Sequence, residues 1–264
     1  MKLKIEHETI YRYDAPVRSS TQYIRLTPRE SARQNVLQWQ IDTPRTPTQT
    51  HDGYGNVLHV LTLDKTVREI RIRAHGVIEA NPEADEKPDP AGSLSPLVFL
   101  RCTTLTRPDA ALVQFAEKFR RRSAVLAGLR ELASEVVRKL PNGKAENPET
   151  HTCAEAFASE HGSVRDQAHV FIACCRQIGI PARYVSGYVL THGKEGDGIY
   201  GHCWIEAWVG DRWRGFDLAH RTASTEHVAL AIGADYLDAC PIRGIRTGGG
   251  LETMEAHAKV SVSQ

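Results

Sequence analysis

Long apolar runs are missing from this 264-residue chain, and so is any excess of charge. No stretch approaches the roughly 20 apolar residues that a membrane-spanning helix needs. The charged opening MKLKIEHE lacks the apolar segment of a secretory leader, so a cytoplasmic protein without a membrane partner is expected. A formal net charge of +1 gives no overall pull toward nucleic acid. The six cysteines (Cys102, Cys153, Cys174, Cys175, Cys203 and Cys240) form no disulfide framework. His169, His202, Cys203, His220 and Cys153 are zinc-type side chains but show no paired ligand spacing, so neither a metal nor a cofactor is expected. Internal repeats are absent as well.

What the chain does have is an uneven distribution of periodicities. Residues 1–80 hold short alternating runs such as LKIEHETIYRY, TQYIRLTP and VLHVLTL, separated by the turn material YDAPV, TPRTPTQ and DGYGN. That spacing predicts an N-terminal β-sandwich. The proline-rich, charged stretch opening with NPEADEKPDP predicts a linker, taken as 81–107. Residues 108–264 read as helices followed by strands, hence an α+β unit and not a doubly wound parallel sheet. Within it, 117–139 places Phe119, Leu126, Leu129, Leu132 and Val136 at helical spacing, with a solvated basic face.

The stretch HGSVRDQAHVFIACC (161–175) reads as a helix capped by Ser163 and ended by GIP at 179–181. Downstream, YGHCWIEAW places His202 and RWRGFDLAH places Asp217 on strand-like runs joined by the tight turn VGDRW. A base and its orienting acid beside a helix N-terminus suit acyl transfer through a thiolate. The helix start is where the thiol belongs, and Val164 stands there. Ser163 is rotated from that position by about 100°, and Cys174 and Cys175 lie about 15 Å along the helix. Cys203 follows His202 directly and so faces the other side of its strand. Cys153, on the preceding helix, and a water activated by His202 stay open as nucleophiles. Trp204, Tyr184 and Tyr188 either line a cleft or fill the core. Asp166 and His169 belong either to the site or to an ion pair with Arg165 or Arg183.

The order G-x-x-x-D-x-A-H, GIPARYVSGY, H-x-W-x-E and W-x-G-F-D resembles the transglutaminase-like superfamily, and most closely its bacterial branch of cysteine proteases. IEHETIYRYDAPVRSS, IRLTPR and DGYGN resemble the N-terminal domain of that branch, and HVALAIGADYLDACPIRGIRTGGG its C-terminal signature. The resemblance implies a papain-like core, a helix packed on an antiparallel sheet, with His202 as base and Asp217 as orienting acid. Asp166, Ala168 and His169 match the helix motif, whose cysteine falls five positions before the histidine, at Val164. Leu218 and His220 depart from the family's Pro and Asn. The reading is a non-catalytic homologue that binds a peptide or protein amide through Ser163, Asp166, Tyr184 and Trp204. The alternative is an amide hydrolase or acyl transferase that uses His202 and Asp217 with Cys153 or an activated water.

Overall fold

The computed structural model describes residues 1–81, 94–121, 123–141, 143, 151–191, 198–219 and 227–263. His220 lies outside them. Alternation starts at once: in β1 (Lys2–Ile24) Leu3 and Ile5 are fully buried while their neighbours face out. This strand is unbroken where YDAPV predicted a turn. Its pairing with β5 (Val67–Ala80) stops at Arg12 and resumes at Val17, and Pro16, which has no N–H to donate, falls in that gap.

The two halves of β1 have different neighbours. The first pairs with β5 and with β11 (Glu252–Ser263), Leu3 lying opposite both Ile78 and Val262. The second pairs with β4 (Val57–Leu63) and β10 (Ile242–Gly248), Ser20 lying opposite Leu63 and Arg246. β2 (Gln34–Asp42) and β3 (Thr48–His51) complete one seven-stranded sheet. The halves share one core, with Leu3, Ile5 and Tyr11 from one side and Ile24, Leu61 and Leu63 from the other. The expected N-terminal β unit is thus formed by two halves of one curled sheet packed around a common core. It is not complete at residue 80, because residues 242–263 return to flank β1 instead of staying with the core unit.

The second unit is built on α4 (Val164–Gln177), whose residues Asp166 through Arg176 are all buried. A helix buried on every side needs cover on every side. One side is covered by the antiparallel sheet β8-β7-β6-β9, formed by Arg212–Phe216, Gly198–Val209, Ala182–Thr191 and His227–Gly233 respectively. The other is covered by α1 (Ala110–Glu117), α2 (Val125–Lys139) and α3 (Cys153–Ser159). The predicted helix over 117–139 is interrupted, since α1 ends at Glu117 and Ala124, in the left-handed conformation at φ 53°, precedes α2. Residues 94–107 do not behave as a linker. A short 3-10 helix, Pro96–Leu100, buries Phe99 against Val185, Trp204, Trp213 and Ile232.

Side-chain amides join the two units. Among the described residues the outer edge of β9 has no strand beside it, and Gln34 exchanges two hydrogen bonds with the backbone of Ala229 while Asn56 does the same with Ile232. Asn56, fully buried, also donates to Asp52 and accepts from Arg29, so all its capacity is used. Replacing Asn56 with leucine leaves the Ile232 N–H and C=O buried and unpaired. The expected cost is about 2–4 kcal/mol, read as a lower urea midpoint with an unchanged denaturant slope. A loss under about 1 kcal/mol would mean that the edge does not need this cap.

Candidate functional site

The start of α4 is built by its first residues. Ser163 Oγ accepts from the Asp166 N–H, and the Asp166 carboxylate accepts from Ser163 N and Oγ at 2.8 Å each, a reciprocal capping box. Gly179, at φ 84°, and Pro181 end the helix as its sequence predicts. Val164 is the first helical residue. It lines a cavity of about 460 Å³ together with Ser163, Arg165, Tyr184, His202 and Cys203.

The turn at Gly210 (φ 73°) pairs β7 with β8 in a register that places Ile205 opposite Phe216. Asp217, the next residue, is brought to His202, whose Nε2 lies 2.9 Å from Asp217 Oδ2. An ionised carboxylate only accepts, so this bond puts the ring proton on Nε2. Asp217 Oδ1 accepts from the Ala219 N–H at 2.9 Å. Gly187 lies opposite His202 across the β6–β7 pairing, and a Cβ there would collide with the Val228 carbonyl and the Trp204 ring. That is the physical reason for the glycine in GIPARYVSGY.

The sequence-derived residues thus divide. Ser163, Val164, Tyr184 and His202 share the cavity, and Asp217 reaches it through His202. Trp204 does not line it: the ring is buried among Phe99, Trp213 and Ile232 on the opposite side of β7 from Cys203. Asp166 is occupied as well, because its side chain is 1% exposed and its second oxygen takes His151 Nδ1 at 3.1 Å. The partners the structure shows for it are Ser163 and His151. Arg183 pairs with Glu206 at 2.7 Å and lies over the Trp213 ring.

The alternative nucleophiles are placed just as clearly. Cys153 is fully buried, away from the cavity, with its thiol donating to the Arg107 carbonyl, and burial pushes it up to about 12. It is not among the residues that line the cavity with His202. Cys174 and Cys175 are in the α4 core. Cys203 packs toward α4, as strand alternation predicts, yet it also reaches the cavity, and burial pushes its thiol up to about 11. His169 is fully enclosed and pushed down to about 3 by burial, so it stays neutral, and its Nε2 accepts from the Tyr236 N–H.

Several participants escaped sequence reading. His7, on β1, bonds the Tyr188 hydroxyl at 2.6 Å and brings the first unit into the cavity wall. Burial lowers it to about 4. Arg165 stacks 3.5 Å over the Tyr236 ring. His227, which opens β9, places Nε2 2.7 Å from the same Asp217 oxygen that His202 uses, and its ring lies 4.7 Å from that of Trp204. The only local sign of His227 is a histidine at the head of an apolar strand.

Residues 3–79 match the family described as the bacterial transglutaminase-like N-terminal region, and residues 113–218 match the transglutaminase-like superfamily. The uncharacterized protein ML0607 of Mycobacterium leprae is 27% identical over 289 residues, covering 98% of both chains. Rv2569c of Mycobacterium tuberculosis is also 27% identical, over 92% of this chain and 87% of that one. The crystal structure of a candidate cysteine protease from Cytophaga hutchinsonii superposes with a TM-score of 0.80 at 19% identity, covering 99% of this chain and 90% of that one. The mixed fold and its antiparallel core sheet agree with that neighbour. With a match in each unit, the chain belongs to the transglutaminase-like superfamily and carries the bacterial N-terminal region of that family ahead of its core.

Proposed function

We propose that this chain is a non-catalytic member of its family that holds a peptide or protein amide in the cavity at the start of α4. One observation carries the reading: Val164 occupies the first turn of α4 in the same cavity as His202. Valine offers no atom that can form or leave an acyl bond. The other candidates among the described cavity residues are occupied or silent. Ser163 Oγ donates to Asp166, Ser186 Oγ donates to the Ala239 carbonyl, and the Cys203 thiol is held protonated by burial. The cavity keeps tyrosines, a helix N-terminus and a tautomer-fixed histidine, which suit an amide's carbonyl and N–H.

The test incubates the whole protein with a mixed peptide library, reading contacts by saturation-transfer NMR and products by mass spectrometry. Saturable binding of intact peptides is expected. Cleaved peptide that disappears in a His202→Gln variant would overturn the reading and point to a water activated by His202, and cross-linked peptide would overturn it by showing acyl transfer to an amine. Absence of any saturable binding would overturn it as well.

A further inference from the structure

Three side chains of metal-ligand type meet at the edge of the cavity: His202 on β7, Asp217 just after β8 and His227 at the head of β9. We propose that they bind a divalent transition-metal ion of the zinc class. One ring nitrogen from each histidine and one carboxylate oxygen lie within 4.8 Å of one another. Two imidazoles and a carboxylate suit zinc and its neighbours, whereas magnesium and calcium take oxygen ligands almost exclusively. Two donors stand on strands of one sheet and the third directly follows its edge strand β8, where its second oxygen is held by the Ala219 N–H. Their side chains are 8%, 0% and 1% exposed in the order named, which keeps competing water away.

His227 Nδ1 is buried and has no hydrogen-bond partner among the described residues, and the geometry of the three donor groups carries the site. Without an ion, Asp217 Oδ2 holds both rings, at 2.9 and 2.7 Å. A tetrahedral ion at about 2.0–2.1 Å from each donor needs the donor atoms about 3.3 Å apart, so each His–Asp pair opens by roughly half an ångström while donors now up to 4.8 Å apart close by up to about 1.5 Å. Each ring that turns its present donor nitrogen to the ion moves that proton to its other nitrogen. Three protein ligands leave a fourth position for water or a ligand group. The proposal does not depend on whether the chain is catalytic, and a peptide-binding failure leaves it standing.

The whole protein, stripped with chelator and dialysed, is titrated with zinc by calorimetry near neutral pH, and with cobalt(II) as an optical probe. One equivalent with micromolar or tighter affinity is expected, with visible cobalt bands of nitrogen and oxygen ligation. His227→Gln is expected to weaken binding at least about tenfold, with circular dichroism checking its fold. No stoichiometric binding, undiminished affinity in that variant, or cobalt–thiolate charge transfer would each overturn the site. Should the variant fail to fold, ring nitrogen NMR of the unaltered protein decides. Zinc must move the His202 and His227 resonances, and unmoved lines refute the proposal.

Discussion

Replacing Arg176 with methionine lowers the stability of the protein by about 3–5 kcal/mol, a loss of the size seen when a buried charged network is broken. Arg176 is 5% exposed near the end of α4, and its guanidinium binds four groups drawn from separate parts of the chain. It donates to the Phe99 carbonyl at 2.8 Å, Thr106 Oγ1 at 2.8 Å, the Ala182 carbonyl at 2.8 Å and the Ala234 carbonyl at 2.6 Å. These acceptors come from the segment before α1, the start of β6 and the end of β9. Methionine retains much of the stem packing but takes the guanidinium from three carbonyls, at about 1–3 kcal/mol each, while Thr106 Oγ1 keeps its bonds to Thr103. The removed desolvation cost of the cation, which lowers its pKa, offsets part of that sum. A melting temperature lower by roughly 10 °C is expected, at about 2–4 °C per kcal/mol for a chain of this size. Lysine at this position recovers less than half, because one ammonium cannot fork to four acceptors. Limited proteolysis should then cut first within residues 94–107. A methionine variant with wild-type melting would show that water replaces the guanidinium.

That network was not legible in the sequence, and the reason is distance along the chain. What could be read was local. The Ser163 cap, the Gly179 stop and the approach of Asp217 to His202 through the Gly210 turn each depend on a few neighbouring residues. The failures depend on partners far away. Residues 252–263 alternate as any strand does, and nothing local says that they pair with β1 about 250 positions earlier. Pro16 and its neighbours form a competent turn sequence, and only the switch of partners along β1 makes them a bend within one strand. Phe99 sits next to proline-rich, charged material, so its burial becomes visible only once Trp213 and Trp204 surround it. Trp204 and Cys153 show the converse, chemistry-bearing residue types that the packing places in the core. The resemblance to a known family identified the base and acid positions, but it took in His227 only as the first residue of a C-terminal signature and gave it no role.

A Val164→Cys variant is expected to alkylate at residue 164 about tenfold faster than an ordinary exposed thiol near pH 6. The thiol would sit in the first turn of α4, where unpaired N–H groups favour an anion, in the cavity that His202 lines. A free thiol of pKa ~8.5 is about 0.3% ionised there, and one lowered to ~6 is about half ionised, a gain of roughly 150-fold. Lower basicity makes the thiolate intrinsically less nucleophilic by about tenfold, at a Brønsted slope of about 0.4–0.5. About one order of magnitude therefore survives. Background is low, because the Cys203 thiol, held at about 11, is ionised at only about one part in 10⁵ at that pH, and Cys102, also half-exposed, is the cysteine against which rates are normalised. Haloacetamide adducts mapped by mass spectrometry give the rates, and adding His202→Gln to the variant should remove most of the gain. Fast labelling that depends on His202 would mean that the base, the acid and the helix dipole still form a working set that lacks only sulfur. Labelling at the ordinary rate would mean that His202 and Asp217 no longer act on the start of α4, and their retention would then be explained by His227 and the ion that the three are proposed to share.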